Sequence, residues 1–291
     1  MALPIPLYLC AATMSTTSTE RPTKIITADA LSYLEYLRQV WQHRHVLHAL
    51  FLRDIKQQYV QTRLGLLWAV VKPLVIVSVF SILFSYLMNI KTGNYPYLLF
   101  ALSGHLSWNL FSSIVNNGMG AVKSNSGLIR KMSFPLLILP ILAIANALTE
   151  WLVTFGLLVL LMLIMGVLPP VQVVFLPIAV LLNVLLAAGI ILWMNVTSIR
   201  FWDLNHILPS LIGMGIWLTP VFFPVTLIPT EFLWLANLNP MTGVLNIYRW
   251  ALFNEAFNLI AIAWTTFLAL ATTLSGIYFF KEREGEMIDY L

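Results

Sequence analysis

Six long stretches of this chain are apolar and contain no lysine or arginine: residues 74–90, 96–116, 136–166, 172–197, 207–227 and 257–280. A helix rises about 1.5 Å per residue and the hydrocarbon core of a bilayer is about 30 Å thick, so about 20 apolar residues make one crossing. Inside that core no water meets backbone N–H and C=O groups, and each such stretch must close its hydrogen bonds as a helix. Only 10% of residues are charged, where a soluble domain carries about 25%. The expected fold class is therefore an all-α integral membrane protein with six transmembrane helices.

Residues 229–255, PTEFLWLANLNPMTGVLNIYRWALFNE, do not read as a seventh crossing. Glu231, Arg249 and Glu255 are charged and Asn239-Pro240 interrupts the middle. The segment predicts a re-entrant pair of half-helices broken at Pro240, before the last span. Broken backbone survives at membrane depth only where protein or water covers it.

Six spans place both termini on one face. On that face lie 14 of the 16 lysines and arginines; the other face holds Lys91 and Arg249. Basic residues mark cytoplasmic loops, so both termini are expected in the cytoplasm of a multi-pass protein. Residues 1–30 are rich in Ser, Thr and Pro and read as a loosely ordered leader. That leader carries the single cysteine, Cys10, which is read as part of the disordered segment, with a lipid anchor as the alternative. Residues 31–50 read as an amphipathic helix, 31–72 as a cytoplasmic interface, 73–280 as the transmembrane domain and 281–291 as a cytoplasmic tail.

Composition and motifs narrow the function. No long basic run suggests nucleic acid as a partner. There is no GxxxxGK[ST] loop and no soluble segment long enough for a nucleotide-hydrolysing domain. Energy from ATP would have to come from another chain. A membrane enzyme needs catalytic acids or bases on an exposed loop; here the outer loops offer only Glu231, Glu255, Arg249 and Lys91, with no histidine. A secondary transporter would show internal repeats and intramembrane ion pairs, and neither is seen.

The segment RDIKQQYVQTRLGLLWAVVKPL, residues 53–74, changes from polar to apolar along its length. At 100° per residue, Phe51, Ile55, Tyr59, Thr62 and Leu66 share one arc. Arg53, Asp54, Gln57, Gln58 and Gln61 fall opposite. Lys56 and Arg63 flank the apolar arc, where their stems can snorkel. This predicts an interfacial helix over 51–66, with Gly65 and Pro73 as places to bend inward. An anchor for the first span would show the same periodicity.

Polar side chains line up within the spans. His105, Asn109, Ser112, Ser113 and Asn116 share a face of the second. Ser78, Ser81 and Ser85 do so in the first, and Asn146, Glu150 and Thr154 in the third. Polar side chains in membrane helices face the bundle interior or a watery cavity, although serine stripes also pack helices closely. Glu150 is the one acid deep in the hydrocarbon, read either as a structural hydrogen-bonding group or as part of a path.

The string RDIKQQYVQTRLGLLWAVVKPL resembles the lead-in segment of membrane subunits of ABC-2 type polysaccharide exporters. NSGLIRKMSFPLLILPI at 125–141, VTSIRFWDLNHILPSLI at 196–212 and LTPVFFPVTLIPTEFLWLANLNPMTGVLNIYRWALF at 218–253 resemble that family's later loops in the same order. The resemblance covers roughly residues 45–280. It implies a type V exporter fold and a permease subunit, not an enzyme. It also implies a homodimer working with two ABC ATPase subunits that hold ATP and Mg, with no cofactor on this chain. The cargo would be a lipid-linked polysaccharide of the O-antigen, capsule or teichoic-acid kind, crossing the bacterial inner membrane; another amphiphile, such as a drug or lipid, is the alternative. By resemblance, 51–66 is a gate helix in which Arg53, Lys56, Tyr59 and Arg63 meet the substrate headgroup; attraction of the cations to anionic lipid is the other reading. The loop 119–135 would couple to the ATPase through Lys123, Ile129, Arg130, Lys131 and Phe134, or else be an ordinary basic loop. Ser78, Ser81, Ser85, His105, Asn109, Asn116 and Glu150 are the candidates for the translocation path.

Overall fold

A computed structural model describes residues 32–60, 65–90, 92, 95–132, 134–201 and 203–290; the side chains of Tyr33, Tyr59, Val60 and Leu66 also fall outside the description. All regular structure among these residues is helical. Five helices are long and apolar enough to cross a membrane: Trp68–Leu87, Tyr97–Gly118, Ile138–Ile164, Val171–Arg200 and Leu259–Asp289.

The chain enters through α1 (Tyr33–Gln42) and α2 (Arg44–Val60). Ser32 and Glu35 form a capping box that starts α1. The expected single helix over 31–50 is thus two. The chain breaks at His43, whose ring Nδ1 sits 2.8 Å from the carbonyl of Gln39, and residues 44–50 belong to the same helix as the start of the predicted gate. Gly65 takes φ +50°, a left-handed value that suits glycine, and there the chain turns into α3 (Trp68–Phe80). Pro73 lies inside α3, which continues as a π-helical stretch, Ser81–Leu87.

α4 (Tyr97–Gly118) is the central helix, buried along most of its length. It packs on α7 (Ile138–Ile164) and α8 (Leu176–Arg200), and on α11 (Pro240–Phe253). Leu99, Leu106, Ile114, Leu158, Ile191 and Tyr248 are all fully or almost fully buried in this core. α12 (Leu259–Asp289) lies along α8. Glycines at the contact let the two backbones approach: a Cβ on Gly189 would come within 2.5 Å of Thr272. Small residues serve helix packing in membranes because lipid supplies no hydrophobic drive between helices.

Two expected boundaries move. The fifth span, expected over 207–227, is α9 (Leu204–Leu218), only 15 residues long. Thr219-Pro220 stops it, since proline has no N–H to continue the ladder. The last span, expected over 257–280, continues as helix beyond 280: α12 runs unbroken for 31 residues to Asp289. Phe280, Glu284 and Met287 are buried along one face of that extension, at the spacing of a packed helix. Between α9 and α12, α10 (Leu233–Leu238) and α11 meet at Asn239-Pro240. Asn239 caps α11 by accepting from the Met241 amide at 3.0 Å, and Pro240 opens it.

A second, smaller core lies at the other end of the bundle. Tyr36 of α1, Leu50 of α2, Val122 and Leu136 from the loop after α4, Leu192 of α8, and Phe280 and Met287 of α12 pack together there.

Candidate functional site

The polar side chains of α2, α4 and α7 converge. Asn146 Nδ2 donates to Asp54 Oδ2 at 3.0 Å. Gln58 Nε2 donates to Glu150 Oε1. Ser113 of α4 donates to the other oxygen of Glu150 at 3.2 Å, and Asn117 donates to Ser113. Asp54 and Gln58 are four residues apart and so share a face. Asp54 and Gln58 reach α7 while Arg53, Gln57 and Gln58 stay exposed, so the polar side of α2 is still largely open. α7 presents Asn146 and Glu150 one turn apart, matching the spacing of Asp54 and Gln58.

Two cavities meet at this network, and Gln58 and Glu150 line both. One, of about 680 Å³, opens between α2, α7 and the loop after α4. The other, of about 1010 Å³, lies beside α3 and is lined by Trp68, Lys72, His105, Asn109 and Glu150 among others. His105 is buried and its Nδ1 has no protein partner. The structure thus brings His105, Asn109 and Glu150 together, with Thr154 beside them. Ser78, Ser81, Ser85 and Asn116 do not line this cleft; Ser78, Ser85 and Asn116 are exposed elsewhere on the surface. Sequence reasoning missed Trp68 and Lys72, because a bend at Gly65 and not periodicity brings them to the cleft.

Arg53 is exposed and pairs with its neighbour Asp54 at 2.8 Å. Lys56 is exposed. Arg63 and the side chain of Tyr59 lie outside the described residues.

The loop after α4 contains two short helical turns, α5 (Ala121–Ser124) and α6 (Ser126–Ile129). Lys123, Arg130 and Lys131 are exposed along it. Ile129 and Phe134 are half-buried and pack against the second core, leaving Met132 as the exposed apolar side chain there. Buried polar side chains from distant helices hold both ends of the loop. Asn195 of α8 donates to the Gly118 carbonyl at 2.8 Å and accepts from the Val122 amide at 3.1 Å. Glu284 of α12 accepts from the Leu136 amide at 2.7 Å. The Tyr36 hydroxyl faces the same carboxylate without closing a full hydrogen bond. Burial, and then the Glu284 charge, raise the pKa of that phenol.

The opposite end holds a third charged feature. Arg249 is 3% exposed. Its Nη2 donates to the Val221 carbonyl at 2.8 Å and its guanidinium lies 3.8 Å from the Phe100 ring centre. Glycine at 104 permits this, since a Cβ there would come within 2.3 Å of the Val221 oxygen. Glu255 lies in the loop after α11; burial raises its pKa and Arg249 pulls it back down. Both line a cavity at this end of the bundle.

These features describe a multi-pass helical membrane protein with a polar cleft and an anchored loop. Residues 45–253 match the ABC-2 type transporter family, and the chain belongs to it. It is 30% identical over 225 residues to the O-antigen export system permease protein RfbA of Myxococcus xanthus, covering 76% of this chain and 85% of that one. It is 24% identical over 240 residues to the protein of the same name from Klebsiella pneumoniae, covering 82% and 92%. It is also 29% identical over 251 residues to the polysialic acid transport protein KpsM of Escherichia coli, covering 83% and 95%.

Proposed function

We propose that this chain is the permease subunit of an ATP-driven exporter of a lipid-linked polysaccharide of the O-antigen type. The observation that carries the reading is the similarity to O-antigen export permeases and a polysialic acid transport protein over more than three quarters of the chain. The chain carries no reaction of its own. Two copies pair with two ATPase subunits, which bind ATP and Mg, and the complex sits in the bacterial inner membrane with both termini in the cytoplasm. α9 serves as a short fifth crossing, and α10 and α11 form the re-entrant pair on the outer side. The 14-to-2 distribution of basic residues supports that orientation.

In this reading α2 is the gate beside which substrate enters, with Arg53, Lys56, Tyr59 and Arg63 near its headgroup. The anchored loop 119–135 receives the ATPase, and its exposed Lys123, Arg130, Lys131 and Met132 supply the contact surface. His105, Asn109 and Glu150 begin the path. Hydroxyl-rich cargo needs amide, carboxylate and imidazole partners, because each sugar hydroxyl leaving water must keep its hydrogen bonds.

Two measurements test this. Cells lacking the protein should accumulate lipid-linked glycan on the inner leaflet, and co-reconstituted permease and ATPase should move it in an ATP-dependent way. In a Cys10-free background, a cysteine at position 127 should be shielded from an outside-only reagent. Modification there from outside overturns the orientation.

A further inference from the structure

Between the ends of α8 and α12 lies a charged cleft that shares no lining residue with the two cavities at Glu150. Arg200, Phe201, Phe279, Arg283, Glu286 and Tyr290 line it, among others. Arg200 is the last residue of α8 and the only charged one in that helix. α12 carries no charge from Leu259 to Phe280. About 20 helical residues cross the hydrocarbon, so Arg283 falls about one turn beyond it, at the depth of lipid headgroups. Glu286 holds both arginines. Arg200 Nη2 donates to its Oε2 at 3.1 Å, and Arg283 Nη1 donates to Oε1 at 2.7 Å and to Oε2 at 2.9 Å. One carboxylate thus fixes two guanidiniums and leaves one positive charge in excess. Each guanidinium has five N–H donors, and neither makes another hydrogen bond among the described residues. The apolar wall is aromatic. Phe279 stacks on Trp193 with ring centres 4.3 Å apart, and the Arg283 guanidinium lies 5.9 Å from the Phe279 ring centre. Phe201 and Tyr290 are 66% and 65% exposed.

We infer that this cleft holds the phosphate of an anionic phospholipid, with the headgroup on Arg200 and Arg283 and the acyl chains running past Trp193 and Phe279 along the α8–α12 pair. Guanidinium forks match phosphate oxygens in geometry and charge. Glu286 keeps the two forks side by side, so less side-chain freedom is lost when an anion arrives. A basic pocket between membrane helices at headgroup depth selects acidic headgroups. Aromatic rings at the same depth suit the boundary between headgroup and acyl chain. A soluble phosphate would meet the arginines but leave Phe201 and Tyr290 uncovered. Met287 lines the cleft and also packs in the second core, so a bound lipid abuts the core beside the loop after α4. The inference needs only that α8 and α12 cross a membrane, and it goes beyond the export reading.

The test uses the full-length protein in detergent micelles and follows the fluorescence anisotropy of tail-labelled phosphatidylglycerol and tail-labelled phosphatidylcholine. Phosphatidylglycerol should bind about fivefold tighter, the effect of one excess basic charge at a membrane surface. Arg200→Gln and Arg283→Gln each remove that excess. Each should bring phosphatidylglycerol down to the phosphatidylcholine level, with phosphatidylcholine binding and the monodisperse elution peak unchanged. Arg38→Gln removes an equal charge from the exposed side of α1, at the same end of the bundle, and should leave the preference intact. Glycerol 3-phosphate in excess should not displace the labelled lipid. Equal binding of the two lipids by the native protein overturns the proposal. So does a loss in Arg38→Gln as large as in the cleft variants, which would mean diffuse attraction and no built site. Displacement by glycerol 3-phosphate as readily as by unlabelled phosphatidylglycerol gives the cleft to a soluble phosphate and overturns the lipid assignment. The same titration on the permease assembled with its ATPase should show the preference retained; its loss there gives the cleft to a protein contact and overturns the proposal.

Discussion

Arg249 and Glu284 are both buried charges, at opposite ends of the bundle, and they do different work. Arg249 joins segments that already lie side by side: α4 through Phe100, the turn after α9 through Val221, and its own helix α11. It sits in a dense core next to a glycine that exists to admit it. Glu284 adds a polar tie where three distant segments meet in the small second core: the end of α12, the exit of the loop at Leu136, and α1 beside Tyr36. Arg249 stiffens what packing has brought together. Glu284 sets the register of a loop whose own apolar side chains, Ile129 and Phe134, are only half-buried. One secures a core; the other secures a loop.

Substitutions can break or sharpen that contrast. The largest expected effect is at Arg249. Arg249→Ala removes a charged hydrogen bond and a cation–π contact and leaves the Val221 carbonyl without its partner, a loss of about 2–4 kcal/mol. The folded fraction on thermal denaturation in detergent should fall sharply. A mild result would mean that the end holding Arg249 is no stiffer than the end holding Glu284. Next comes Glu284→Ala, expected to cost about 1–3 kcal/mol locally by leaving the Leu136 amide unpaired. Here the abundance of the protein should hold while glycan exported per ATP hydrolysed falls, and Glu284→Gln, which keeps an acceptor, should recover most of it. Equal failure of both variants would point to the charge and not the acceptor. Asn195→Ala, which frees the other end of the same loop, should uncouple in the same direction at a cost of about 1–2 kcal/mol. The smallest effect belongs to Tyr36→Phe. Its hydroxyl closes no full hydrogen bond, so stability should change by less than about 1 kcal/mol, read as a shift of a few degrees in melting temperature.

The sequence tells these sites apart very unevenly. Apolar runs announce α3, α4, α7, α8 and α12, because nothing soluble tolerates them, and Asn239-Pro240 marks the break between α10 and α11. The convergence of His105, Asn109 and Glu150 was legible as polar stripes on two spans. Glu284 was not. It stands in KEREGE, one of three glutamates among two basic residues. Its neighbour Glu286 is spent on surface pairs with Arg200 and Arg283. Only the 148-residue reach to Leu136 distinguishes it. Asn195 is similar, 73 residues from Val122. The contacts of Asp54 and Gln58 with α7 were not legible, because periodicity reports which residues share a side, never what that side meets. α9 was drawn too long because apolar content continues past Thr219-Pro220 although the backbone ladder does not.

The placement of Glu284 also orders events in time. Leu136 leaves the ribosome 148 residues before its carboxylate does. At about 5–20 residues per second that interval is on the order of 10–30 s. Throughout it, the loop after α4 lacks its fastening at Leu136, and Tyr36 lacks the α12 side chains that complete its surroundings. The loop therefore takes its final shape only once the last helix is in place, so the conformation of a segment made early is decided by the last residues to be synthesised.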